Sequence, residues 1–237
     1  MKILFRTVCC LAAVCLTVAC SSAAHIVVRD NADYSLAVEF VPSSLLEKNI
    51  TQLLKQKNEQ VDGQSVFNTQ ELKDAFTQTG ITVKKITAKG TMGLNLVCSV
   101  PHDHELFKDV INYDKKRHHT AVTLSPKSIS SFLEMLPQES RDFIDMLMAP
   151  LFTGDKIPPA EYEELIGAAY GKKIAAELRN AEFVLTVDVP YKVQTAHITP
   201  VGTVTVQTMT GNTSRASIRI PLPDLLCTVG TIEVQLQ

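Results

Sequence analysis

FVLTVDV, residues 183–189, sets Phe183, Leu185, Val187 and Val189 on one side of an extended chain. Strict alternation of this kind marks a strand with one face in a core. Working outward, the same period recurs towards the C-terminus in Val204 and Val206, in Ala216, Ile218 and Ile220 beyond Gly211-Asn212, and in Ile232, Val234 and Leu236. It recurs far upstream as well. Ile26 and Val28 precede Tyr34, Leu36, Val38 and Phe40 across a turn at 30–33, and Ile81, Val83 and Ile86 precede Leu94 to Val100 across Gly90-Thr91-Met92-Gly93. Short turns join antiparallel neighbours, so the sequence predicts a mostly antiparallel sheet built from N- and C-terminal strands.

Helical spacing fills the interval. Leu46, Ile50, Leu53 and Leu54 share a face after Ser44, and Leu106, Phe107, Val110 and Ile111 form another apolar stripe ahead of a strand at 121–124. Asn68-Thr69-Gln70-Glu71 has the form of a capping box and opens a helix carrying Leu72, Ala75 and Phe76 to a stop at Gly80. The longest helical block runs from about 128 to 180, with breaks at Pro137 and between Pro150 and Pro159. In its last part Tyr162, Ile166, Tyr170, Ile174 and Leu178 read as one stripe through Gly167 and Gly171, and the close spacing of these glycines suits tight helix packing. The expectation is one α+β domain over 25–237, with a helical section inserted at about 128–182.

Before this body come Lys2 and Arg6 and then an uncharged run of 13 residues, 7–19. A bilayer span needs about 20 apolar residues, whereas a secretory signal needs a shorter apolar region ending in small residues. Leu16-Thr17-Val18-Ala19-Cys20 resembles a bacterial lipobox of the relaxed kind found in spirochaete-type lipoproteins, with Leu16 four places before the cysteine and Thr17 where leucine usually stands. The resemblance implies a signal peptide at 1–19, acylation of Cys20, a lipidated tether at 20–24, and attachment to a bacterial envelope membrane on its periplasmic or surface face. An ordinary cleaved signal and an uncleaved anchor are the alternatives. Two or three acyl chains on one cysteine anchor a protein stably, which a single chain does not.

A second resemblance lies in SISSFLEMLPQESRDFIDMLMAPLFTGDKIPPAEYEELIGAAYG, residues 128–171, taken with RIPLPDLL, residues 219–226. Both stretches resemble a group of spirochaete-type lipoproteins and, more distantly, the LppM-type lipoprotein domain. This implies an envelope lipoprotein with a mixed sheet and a role at lipid, and brings no catalytic residues with it.

Without residues 1–19 the chain has 218 residues and a formal charge of −4, since Lys2 and Arg6 leave with the signal. Nucleic-acid binding needs a basic footprint, so it is not expected. Cys98 and Cys227 are the cysteines that remain beside Cys20, open to pairing or to burial as free thiols. His102 and His104, with His118 and His119, are weak metal candidates, because neighbouring imidazoles can share a zinc ion. HELFK at 104–108 has Lys108 where a zinc-protease helix has its second histidine. Lys115, Lys116 and Arg117 are candidates for contact with anionic head groups. FIDMLMAPLF, 143–152, is apolar on nearly every side, and Phe143, Met146, Leu147, Met148 and Phe152 could line an apolar ligand site.

Serine-elbow, phosphate-loop, Cys-x-x-Cys and calcium-loop motifs do not occur in the sequence. The expected function is that of a membrane-anchored envelope protein, non-enzymatic and without a cofactor, that binds a lipid or other apolar ligand. The alternatives are a structural or interaction protein whose partner is another envelope protein, and a metal-binding protein.

Overall fold

A computed structural model of the chain describes residues 21–30, 33–45, 47, 48, 51, 52, 65, 67–133 and 156–237. The α+β expectation holds, and the strands form two sheets. The larger contains β1 (Ser21–Val27), β2 (Tyr34–Val41), β3 (Thr82–Lys89), β4 (Gly93–Val100), β7 (Glu182–Val189), β9 (Thr203–Thr208) and β10 (Ser214–Pro221), in the order β3-β4-β2-β1-β7-β10-β9. The smaller contains β5 (Ile111–Asp114), β6 (His119–Leu124), β8 (Ala196–Thr199) and β11 (Ile232–Leu236), in the order β5-β6-β11-β8. Among the described residues every pairing is antiparallel except β1 with β7, which run parallel with Ser21 opposite Glu182. This parallel pair joins the N- and C-terminal halves of the large sheet.

Alternation fixes which face is buried. Ile26, Leu36, Leu96, Cys98, Leu185, Val187 and Ile218 point into the main core with Val122, Val234 and Leu236 of the smaller sheet. Fully burying one such aliphatic side chain contributes about 1.5–3 kcal/mol. Tyr191 is 1 % exposed, and its Oη donates to the Leu236 carbonyl (3.0 Å) and bonds Thr120 Oγ1 (2.9 Å), so its polar tip is satisfied.

Helix α1 (Thr69–Gln78) brings Leu72 and Phe76 to the same core. Its N-cap is Asn68, whose Oδ1 accepts from Gln70 N at 3.1 Å and Glu71 N at 3.3 Å. We expect Asn68→Ala to lower stability by about 1 kcal/mol, read as a reduced urea midpoint. An unchanged midpoint would show that the cap contributes nothing.

Several expectations are corrected. The apolar stripe at 106–111 gives only a single helical turn, α2 (Glu105–Lys108), because Ile111 opens β5 and pairs with Val122. The long helical block begins as α3 (Pro126–Leu133), and residues 134–155 lie outside the described residues. Its last part is two helices, α4 (Pro159–Tyr170) and α5 (Lys172–Arg179), since Gly171 takes φ +95° and interrupts the helix. The two helices approach closely at Gly167, where a Cβ would lie 3.5 Å from Ala175 Cβ. Finally, residues 21–24 are not a tether. They form the first part of β1, paired on one side with β2 and on the other with β7.

A second, smaller core closes one end of the large sheet. Met92, Tyr162, Ile166, Ile174, Ala175 and Leu226 form it, the last from the short α6 (Leu222–Leu226). Ser43 donates to Glu177 and the Leu222 N–H donates to the Ala181 carbonyl (2.8 Å), so the exits of β2 and β10 are tied to the end of α5.

Candidate functional site

Sequence candidates fall at three places. Cys20 and residues 143–152, with Phe143, Met146, Leu147, Met148 and Phe152, lie outside the described residues. Ser21, which follows Cys20 directly, is described and already paired on both sides.

The histidines have separate local duties. Nε2 of His104 donates to the Thr79 carbonyl at 2.8 Å, which satisfies the C-terminal end of α1, and the ring meets Phe107 edge-on at 5.9 Å. His118 sits in the β5–β6 hairpin with φ +48°, its ring 5.5 Å from that of Tyr191, while His119 opens β6 opposite Asp114. His102 is exposed in the loop after β4. Among the described residues, no three or more His, Cys, Asp or Glu side chains come together in a way that could hold a metal ion.

Lys115, Lys116 and Arg117 occupy the β5–β6 hairpin. Asp114 Oδ1 accepts from the Lys116 N–H (2.9 Å) and the Arg117 N–H (3.1 Å), the usual way an aspartate organises a turn. Lys115 pairs with Asp30 at 3.1 Å and Arg117 with Asp114 at 3.6 Å. Tyr113 Oη also donates to Asp30 (2.6 Å), and that bond, followed by the one from Lys115, lowers the Asp30 carboxyl below its ordinary value. Two of the three cations thus face carboxylates of the chain.

Cys98 and Cys227 are free thiols in different cores. Burial pushes Cys98 up to about 11, and burial, helped by Asp224 and Glu163, pushes Cys227 up to about 11. Both remain protonated at neutral pH, where a thiol is a poor nucleophile.

One constellation escaped the sequence reading. On the face of the large sheet opposite the core, Asp188 of β7 joins His25 of β1 and Arg215 of β10. Arg215 donates to both carboxylate oxygens, Nε to Oδ1 at 2.6 Å and Nη2 to Oδ2 at 2.7 Å, and His25 Nε2 bonds Oδ2 at 2.9 Å. Burial pushes the Asp188 carboxyl up, but the bonds from Arg215 and His25 outweigh it and leave the group below its ordinary value of 3.8. Charged residues at outward positions of FVLTVDV and SRASIRI were the available signal; nothing in the sequence joined them to His25.

A nucleophilic triad would need a hydroxyl or thiol on the other imidazole nitrogen, and among the described residues none bonds it. The geometry makes Asp188 a clamp across the middle strands. A carboxyl lowered on folding contributes stability above its unfolded value that is lost as pH falls through the folded value. We therefore expect stability to drop on acidification below pH 3.8 and Asp188→Asn to flatten that limb. Urea midpoints at several pH values check this, and parallel acid limbs in the two proteins would contradict it.

Comparison with protein-family models, with curated proteins and with solved structures finds no match for the chain.

Proposed function

We propose that this is an exported, lipid-anchored protein of a bacterial envelope whose α+β body works as a non-enzymatic binding module. The observation that carries the reading is LTVAC, which would put processing immediately before Cys20, followed directly by Ser21, a residue already paired with β2 and β7. A cut further along, among the small residues Ser21 to Ala24, would strip β1 of part of its pairing to β2 and β7.

Intact mass of the membrane-extracted protein tests the anchor. The expected mass is that of a chain starting at Cys20 with two or three acyl chains. An unmodified chain, or one retaining residues 1–19, would overturn the reading.

What the body binds divides into two cases. FIDMLMAPLF supports an apolar ligand, and native mass spectrometry of a chain beginning at Ser21 would then show bound lipid that Met148→Asp removes. A bare chain mass would direct the search to an envelope protein as the partner.

A further inference from the structure

The position of β1 determines how an anchored body meets its membrane. β1 is the fourth of seven strands, with three on each side. Cys20 is one peptide unit, about 3.8 Å, from Ser21, so an acylated Cys20 has no free linker. Resting the sheet on either edge strand would place the anchor three strand spacings, roughly 14 Å, above the bilayer.

The two ends of the sheet differ in kind. At the end where β1 starts, β7 starts and β2 and β10 finish, because Ser21 lies opposite Glu182 and Val41, and Glu182 opposite Pro221. The second core and helices α4 to α6 cap this end. Leu165 is 51 % exposed on α4 and Val229 44 % exposed after α6; Lys172 and Lys173 are exposed at the start of α5, and Glu161 and Glu164 are exposed in the first turns of α4. At the other end lie Asp30, the Lys115–Arg117 hairpin bound to it, and the 209–213 turn of the β9–β10 hairpin. The seven residues of β1 alone separate the ends by about 20 Å at ~3.3 Å per residue.

We propose that the helical cap formed by α4, α5 and α6 is the membrane-facing surface, resting on lipid head groups with the strands running away from the bilayer. This rests on the lipid-anchor reading above. Leu165 and Val229 supply shallow apolar contact and Lys172 and Lys173 meet anionic head groups. The Lys115–Arg117 hairpin then faces the aqueous compartment, so its cations are not the ones that meet the membrane holding the protein.

The test uses the full-length acylated protein in vesicles of phosphatidylethanolamine and phosphatidylglycerol containing brominated lipid. A bimane label is placed through Lys172→Cys on the cap, Lys116→Cys on the far hairpin, or Thr205→Cys on the sheet face opposite the core, each combined with Cys227→Ser. The label on Lys172→Cys is expected to lose most of its emission, with the other two unchanged. Loss at Thr205→Cys without loss at Lys172→Cys would mean that the sheet lies face down, and loss at no position would mean that the body stands clear of the bilayer. Either result overturns the orientation while leaving the anchor intact, since the intact mass of each sample reports its acyl chains. A mass without acyl chains would overturn the anchor and the orientation together.

Discussion

A chain that begins at His25 is expected to lose most of the stability of one that begins at Ser21. The four missing residues are short and weakly apolar, so their side chains contribute little. Their backbone is another matter, since each is paired with β2 on one side and β7 on the other. In the middle of a sheet each residue uses its N–H and its carbonyl, so four residues carry about eight ladder bonds, worth roughly 4–8 kcal/mol together at ~0.5–1 kcal/mol each. Domain stabilities are about 5–15 kcal/mol, so the shortened chain stands near its folding threshold. The measurement is a pair of urea unfolding curves, and coincident midpoints would sink the idea that residues 21–24 belong to the sheet.

Replacing Gly202 with alanine is expected to have the next largest effect. Gly202 sits between β8 and β9, at the corner where the chain passes from the smaller sheet to the larger. Its φ is +117°, and a Cβ there would lie 2.7 Å from Ile198 Cδ1, 2.8 Å from the Arg219 carbonyl oxygen and 3.2 Å from Ile220 Cγ1. The Ile198 methyl can move, but the Arg219 oxygen belongs to β10 and is held by the ladder. Backbone strain of ~1–3 kcal/mol adds to overpacking of ~1–3 kcal/mol, a total of roughly 2–6 kcal/mol. Gly211→Ala is the internal control. Its φ is +80° with nothing within 4 Å of a Cβ, so only the conformational cost of ~1–2 kcal/mol applies. Equal thermal midpoints for the two variants would show that the corner has slack.

The strands with regular alternation were legible because one face of each is in a core. Leu94 to Val100 and Phe183 to Val189 match the structure, as do the hairpins across Gly90 and Gly211. Strand β5 was hidden because 106, 107, 110 and 111 also fit helical spacing, and only pairing with Val122 decides the matter. Strand β8 has four residues and little apolar content, so no local signal marks it. Ser21 to Ala24 resembled a tether for a related reason: their partners, Val38 to Val41 and Glu182 to Leu185, hold them in the sheet. Division into two sheets, like the clamp of His25, Asp188 and Arg215, depends on pairings between distant residues. Of the candidate site, the lipobox-like stretch LTVAC is local in sequence and the cap is not, since α4, α5, α6 and Met92 come together only in three dimensions.

The parallel pairing of β1 with β7 also bears on when the protein can fold. Ser21 waits for Glu182, so β1 finds its second partner only after 160 further residues of the chain have been made. Contacts this distant in sequence slow folding. Until β7 arrives, β1 lies at the edge of a four-stranded β3-β4-β2-β1 unit, with its second row of backbone groups unpaired. The two halves of the large sheet are thereby joined late, at its central parallel pair, once the C-terminal part of the chain is available.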